Sequence, residues 1–113
     1  MVEINEITDG DIRVLAVFGK MLDANSMKLS DKVKSYANSG VRKLIIDLGQ
    51  ISLLNSSYGL GVLAACWGYM NRVNGKLLFA NPSPKVQRLL EITKLNQVFE
   101  IFETVDAAKK CFQ

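Results

Sequence analysis

The chain opens with two short stretches in which apolar and polar side chains alternate. Residues 2–8 alternate in this way and end at Asp9-Gly10, a pair typical of tight hairpin turns. Residues 12–18 follow with a second alternating run. The residues that we expect on its buried face are Ile12, Val14, Ala16 and Phe18. The pattern therefore predicts an opening β-hairpin.

Beyond the hairpin, apolar residues recur every three or four positions in four segments, which is the helical period. The helices are expected to start at a cap on Asn25 or Ser26, near Leu60, near Lys85 and after Thr104. Their expected buried residues are Met27, Val33, Tyr36 and Ala37; Leu60, Leu63, Trp67 and Met70; Val86, Leu89, Leu90 and Ile92; and Val105, Ala108 and Phe112. Between the helices, the continuous apolar runs at 44–46 and 77–80 are typical of strands buried in a sheet, and residues 98–102 are predicted to form a last strand.

The predicted order is β-β-α-β-α-β-α-β-α. It indicates an α/β fold with a mixed, mostly parallel sheet of about five strands, covered by about four helices. A chain of 113 residues can close one hydrophobic core. We therefore expect a single domain over residues 1–113.

Composition removes several classes of function. The chain has no histidine, so it lacks the usual general base of a catalytic triad and the commonest metal ligand. Its net charge is only +3, and the 14 basic residues are scattered without interleaved aromatics, which argues against direct nucleic-acid binding.

The cellular location is also constrained by the sequence. No apolar run is long enough to span a bilayer, and the first ten residues lack the pattern of a signal peptide. Cys66 and Cys111 form no CxxC pair and are expected to be reduced, structural thiols. We therefore expect a cytoplasmic protein.

One segment is chemically unusual, the run Asn55-Ser56-Ser57-Tyr58-Gly59 before the second helix. The hydroxyls could cap the helix, whose N-terminus also favours an anion. Gly59-x-Gly61-x-x-Ala64 matches a dinucleotide fingerprint, but no strand directly precedes it and no acidic residue follows about 20 positions later. A nucleotide-binding protein or enzyme is therefore the weakest reading.

The chain resembles the STAS family of anti-sigma factor antagonists along nearly its whole length. Members carry a buried strand, then a loop of Asp or Asn, Ser, and Ser or Thr, and Gly-Leu-Gly-Val at a helix start. The matching stretches here are Asp47-Leu48, Ile51, Asn55-Ser56-Ser57, Gly59 to Leu63, Asn74 to Leu77, Asn81 to Val86, Leu89-Leu90, Thr93 to Leu95 and Val98 to Ile101. Together they are far more specific than any one motif.

The resemblance implies a regulatory protein with no catalytic residue, cofactor or metal. A serine of the loop would be phosphorylated by an anti-sigma factor that is itself a serine kinase. The unphosphorylated domain would bind that kinase, and a serine phosphatase would reset the switch. The implied partner-binding residues are Asn55, Ser56, Ser57, Tyr58 and Gly59, with Lys20 and Asp23 in a flanking loop. The alternative is a STAS module of a transporter or signalling assembly that is never phosphorylated.

Two departures from the family pattern affect these assignments. In the family the hydroxyl pair directly precedes Gly-Leu-Gly, whereas here Tyr58 intervenes. Counting forward from Asp47 makes Ser56 the acceptor, which we prefer, and counting back from Gly59 makes it Ser57. We interpret Tyr58 as an exposed insertion where the loop meets the helix.

The second departure follows the second strand. The family often has Gly, an acidic residue, Leu and Asp there, but this chain has Gly19-Lys20-Met21-Leu22-Asp23. The lysine reverses a charge beside the implied partner surface.

Overall fold

The computed structural model describes residues 2–112 and contains six strands and four helices within them. In chain order they are β1 (Val2–Asp9), β2 (Ile12–Met21), α1 (Met27–Asn38), β3 (Lys43–Asp47), β4 (Ile51–Leu54), α2 (Tyr58–Arg72), β5 (Lys76–Ala80), α3 (Pro84–Ile92), β6 (Glu100–Phe102) and α4 (Val105–Cys111). Among the residues described, no helix has the length and apolar character needed to cross a bilayer.

The sheet is mixed and mostly parallel, as the sequence predicts. Its main order is β1-β2-β3-β5-β6; β1 pairs antiparallel with β2, and every other pair is parallel. The sixth strand, β4, was not predicted. It has only four residues and pairs with the last three residues of β2 through an irregular register at Gly19/Lys20. A strand this short has too few positions to show alternation.

Helices cover both faces of the sheet, which confirms the α/β fold class. Buried residues of α1, α2 and α3 form the larger core with one face, and α4 covers part of the other face. Because both faces are covered, four consecutive residues of β2 are buried. Leu15 and Val17 face one side of the sheet, and Val14 and Ala16 face the other.

Three expected core residues are exposed, and these predictions are wrong. Phe18 is 40% exposed because the core beneath α4 includes Ile12 and Val14 at the start of β2 and does not extend to Phe18 near its end. Met27 is 47% and Ile92 68% exposed, since they lie at the first and last positions of α1 and α3. Trp67 and Tyr36 are only half-buried, although both pack against the core.

Side-chain caps at Ser83 and Thr104 fix the starts of α3 and α4. Ser83 and Thr104 accept hydrogen bonds from the backbone N–H groups of Val86 and Ala107, as their positions predict. Ser26 does stand at the N-cap position of α1, as expected, but its hydroxyl makes no cap bond. A short 3₁₀ turn precedes α1, and Asp23 caps that turn.

The edge strand β1 is held by charged contacts on both faces. Glu6 pairs with Lys32 of α1 at 2.6 Å and accepts a hydrogen bond from the Tyr36 hydroxyl, while Asp9 pairs with Lys109 of α4 at 2.9 Å. The hydrogen bonds from Lys32 and Tyr36 lower the pKa of Glu6. Burial, and then the contact with Glu6, raises the pKa of Tyr36 to about 12. The middle of β1 is therefore tied to α1, and its turn end is tied to α4.

The head of α2 lies unusually close to the sheet at Gly59. A Cβ atom added there would stand 2.8 Å from the Met21 carbonyl oxygen and would also overlap the Leu54 side chain. At Gly61, two residues later, an added Cβ would meet no atom within 4 Å. Glycine at 59 thus lets the helix start against the ends of β2 and β4.

The first prediction tests the core face of α2. Leu63 is fully buried, so Leu63→Ala should lower the free energy of unfolding by ~2–5 kcal/mol. Leu53→Ala is the matched control, because Leu53 is 42% exposed and its truncation should destabilise the fold less. Urea unfolding followed by circular dichroism measures both. Equal losses would mean that the burial of Leu63 is misassigned.

The second prediction tests the close approach of α2. Gly59→Ala should destabilise the fold by ~1–3 kcal/mol through overlap with Leu54 and the Met21 carbonyl. Gly61→Ala, in open space on the same helix, should be neutral or stabilise by up to ~1 kcal/mol. Thermal unfolding of both variants gives the comparison, and a neutral Gly59→Ala would contradict this packing.

Candidate functional site

The segment Asn55 to Ser57 joins β4 to α2 at the carboxyl end of the parallel strands. β4 runs beside the last residues of β2, so the loop emerges next to the point where β2 ends. This edge is where open α/β sheets generally present their ligand-binding loops. The placement depends on β4, which the sequence pattern did not reveal.

Asn55 organises this loop through four hydrogen bonds. Its side-chain Nδ2 donates to the Leu22 carbonyl at 2.9 Å, and its Oδ1 accepts from the Gly59 N–H at 2.8 Å. Its backbone N–H donates to the Met21 carbonyl at 3.4 Å, and its carbonyl accepts from the Leu60 N–H at 3.0 Å. One residue thus links the end of β2 to the first turn of α2.

Ser56 and Ser57 are both exposed in the turn before α2. The expectation that their hydroxyls cap the helix is wrong. Ser57 stands at the N-cap position but makes no side-chain cap bond, because the carboxamide of Asn55 already occupies the Gly59 N–H. Within the described chain, the backbone N–H groups of Ser57 and Tyr58 donate to no protein acceptor. Two hydroxyls and two free donors therefore lie together on the surface.

Tyr58 and Gly59 belong to the helix rather than to the loop. α2 begins at Tyr58, two residues before the expected start at Leu60, and the Tyr58 side chain is 47% exposed. Gly59 is buried against Met21 and Leu54. It can therefore contribute to a partner surface only by setting how close the helix lies to the sheet.

Lys20 and Asp23 lie on the segment that flanks the loop. Lys20 is opposite Leu53 of β4 in the sheet register, and both are exposed. Asp23 is also exposed, and its carboxylate accepts a hydrogen bond from the Asn25 N–H at 2.9 Å. The Asn55–Leu22 bond brings this segment beside the serines, so the structure places the sequence-predicted residues in one neighbourhood.

Sequence reasoning missed a polar cluster that shapes the turn between β3 and β4. Asp47 Oδ1 accepts hydrogen bonds from the Gly49 N–H at 2.9 Å and from Asn81 Nδ2 at 3.2 Å. Asn81 itself has a positive φ of 58°, a conformation that asparagine tolerates better than most residues. The available signal was Asp47 at the end of a buried strand. The cluster fixes the path of the chain into β4.

No metal-binding or thiol chemistry is evident at this loop. Within residues 2–112, no group of three or more Cys, Asp and Glu residues is placed to hold a metal ion. Cys66 is buried in α2 and Cys111 is exposed in α4, and both are free. Burial raises the pKa of the Cys66 thiol, which keeps it protonated.

Comparison with known proteins agrees with this geometry. BtrV of Bordetella bronchiseptica, provisionally named an anti-sigma factor antagonist, is 25% identical over 95 residues, which are 84% of this chain and 81% of BtrV. A structure from Thermotoga maritima with the same provisional name has a TM-score of 0.86 at 21% identity, covering 95% of this chain and 92% of that one. The Bacillus cell fate determinant SpoIIAA in its phosphorylated form has a TM-score of 0.74 at 18% identity, with 100% of both chains covered.

The two structural matches show that this chain shares its fold with those proteins. The family assignment comes from the sequence. A family model described as the STAS domain matches residues 3–108, which include all six strands except Val2 of β1, and the candidate loop. The chain therefore belongs to the STAS domain family.

Proposed function

We propose that this chain is a phospho-regulated anti-sigma factor antagonist. In its unmodified form it binds an anti-sigma factor that is also a serine kinase, and phosphorylation of a serine in the segment 55–58 releases that partner. A serine phosphatase returns the protein to the binding form. The chain is then a ligand and a substrate, with no catalytic step of its own. The observation that carries the proposal is the pair of exposed, uncommitted serine hydroxyls at the head of α2.

The hydrogen-bond arrangement supports a modification that leaves the fold intact. The cap of α2 comes from Asn55, so neither serine hydroxyl is needed to hold the helix. A phosphate adds a charge of about −1.5 to −2, which the positive end of a helix dipole stabilises. The free N–H groups of Ser57 and Tyr58 are donors to which such an anion can bind.

The helical position of Tyr58 supports Ser57 as the acceptor. Tyr58 and Gly59 are consecutive residues of α2, so no loop residue separates them. The family motif is therefore better aligned with this chain by counting back from Gly59 than by counting forward from Asp47. This count assigns the acceptor position to Ser57 and the second hydroxyl position to Tyr58. We therefore propose Ser57 as the phosphate acceptor, in place of the Ser56 preferred from the sequence, and keep Ser56 as the alternative.

Exposed apolar side chains around the serines suit a protein partner. Leu22, Leu53 and Tyr58 are each more than a third exposed. They lie on the three segments next to the serines: the residue after β2, the strand β4 and the first turn of α2. Lys20 and Asp23 add one charge of each sign beside them. Burying this surface favours association, whereas a dianion at its centre must lose its water. A loss of ~3–4 kcal/mol from this source would weaken binding a few hundredfold.

The third prediction tests the switch with phosphate mimics. Ser57→Asp should keep the melting temperature within about 4 °C of the wild type, because a carboxylate at a helix N-terminus is tolerated. It should nevertheless reduce partner capture. Four proteins are used as baits in lysate of the source organism: wild type, Ser57→Asp, Ser56→Asp and, as a control far from the loop, Ser35→Asp. Mass spectrometry identifies the captured proteins.

A serine kinase of the anti-sigma type that is retained by wild type and Ser35→Asp, but lost with Ser57→Asp, is the expected result. Capture of transporter components by all four baits would instead favour a STAS module without phospho-switching. That outcome contradicts the proposed function.

The fourth prediction distinguishes the two serines. Incubation with the captured kinase and ATP should phosphorylate wild type and Ser56→Ala, but not Ser57→Ala, as measured by intact mass and fragment-ion mapping. The two substitutions remove the same atoms from adjacent exposed residues, so each controls for the other. Phosphorylation that persists in Ser57→Ala and disappears in Ser56→Ala would transfer the acceptor role to Ser56.

A further inference from the structure

The side chain of Asn55 links the first turn of α2 to Leu22, which lies 33 residues before Asn55 in the sequence. Its Nδ2 donates to the Leu22 carbonyl, and its Oδ1 accepts from the Gly59 N–H. The two bonds fix the orientation of the carboxamide, since a rotated amide would set oxygen against carbonyl and nitrogen against N–H. Aspartate could keep the contact with Gly59 but has no N–H for Leu22.

The Leu22 side of this bond is a segment with little other support from the loop. Residues 22–26 contain a 3₁₀ turn in which the Asn25 N–H donates to the Asp23 carboxylate at 2.9 Å and the Ser26 N–H to the Asp23 carbonyl at 3.0 Å. The other hydrogen bond from the loop to this end of β2 runs from the Asn55 N–H to the Met21 carbonyl, and it is long at 3.4 Å. The Asn55 side chain is therefore the shorter link.

We infer that Asn55 is a positioning residue that holds the segment 22–26 against the head of α2, so that Leu22 and Asp23 are presented to the partner in a fixed relation to Ser57 and Tyr58. The role of this surface in binding rests on the proposed function. The link itself is a property of the fold. It separates two tasks of one carboxamide: Oδ1 caps the helix, and Nδ2 tethers the neighbouring segment.

Two variants separate these tasks. Asn55→Asp keeps an acceptor for the Gly59 N–H and removes the donor to Leu22, whereas Asn55→Ala removes both. Amide hydrogen exchange by NMR is the readout, with the Asn25 and Ser26 amides reporting on the tether and the Gly59 and Leu60 amides on the cap. Loss of one hydrogen bond should speed exchange roughly fivefold. We expect Asn55→Asp to do so at Asn25 and Ser26 alone, and Asn55→Ala at all four amides.

Binding is measured on the same proteins by titration with the captured kinase. Asn55→Asp should lose about fivefold or more in affinity with little change in melting temperature. Ser52→Asp adds the same charge at an exposed position of β4 without touching the tether, so it should bind more tightly than Asn55→Asp.

Three outcomes decide the inference. Unchanged exchange at Asn25 and Ser26 in Asn55→Asp would overturn the tether, whatever the partner does. Faster exchange with unchanged affinity, or an equal loss in Ser52→Asp, would overturn its contribution to binding. If no kinase is captured at all, the proposed function fails, and the exchange experiment still tests the tether independently.

Discussion

The head of α2 meets the sheet at a distance that only a residue without a side chain permits. Gly59 lies against the Met21 carbonyl and the Leu54 side chain, which are the last residues of β2 and β4. Because the helix begins there, Asn55 can reach both the Gly59 N–H and the Leu22 carbonyl with one carboxamide. The exposure of Ser56 and Ser57, and the path of the flanking segment, follow from this close approach.

This arrangement assigns the helix cap to Asn55 and leaves the two serine hydroxyls without that task. Asn55 satisfies the helix start that a serine hydroxyl would otherwise cap. The hydroxyls are then free for chemistry that costs the fold little, and a negative charge added to them lies where the helix dipole is favourable. A chain in which Ser57 capped α2 would have to give up that bond whenever the hydroxyl was modified.

Sequence patterning predicted the layers of this fold because the strongest signals are local. The apolar runs of β3 and β5, the hairpin at Asp9-Gly10 and the caps at Ser83 and Thr104 need no knowledge of distant residues. The errors arise where distant residues decide. Phe18 fits the alternation of β2, but the core beneath α4 does not extend to it.

At the site itself, the sequence predicted which residues gather but not how they are bonded. Asn55, the two serines, Lys20 and Asp23 do lie in one neighbourhood, because the flanking segments meet at the end of β2. Asn55 caps α2 and Ser57 does not, and this outcome depends on the positions of their side chains. The spacing of residues along the sequence cannot predict those positions. β4 was missed for a related reason, since its pairing with β2 is a long-range contact across an irregular register.

The two edges of the sheet differ in length but share a consequence for how copies of this protein can meet. β6 offers only three residues, and β1 carries Glu3, Glu6 and Asp9 along its eight. Short edge strands and charged side chains along an edge both disfavour the addition of a further strand from another molecule. Backbone pairing from copy to copy is therefore discouraged at both edges. Such a protein can accumulate with little tendency to form sheet-linked aggregates.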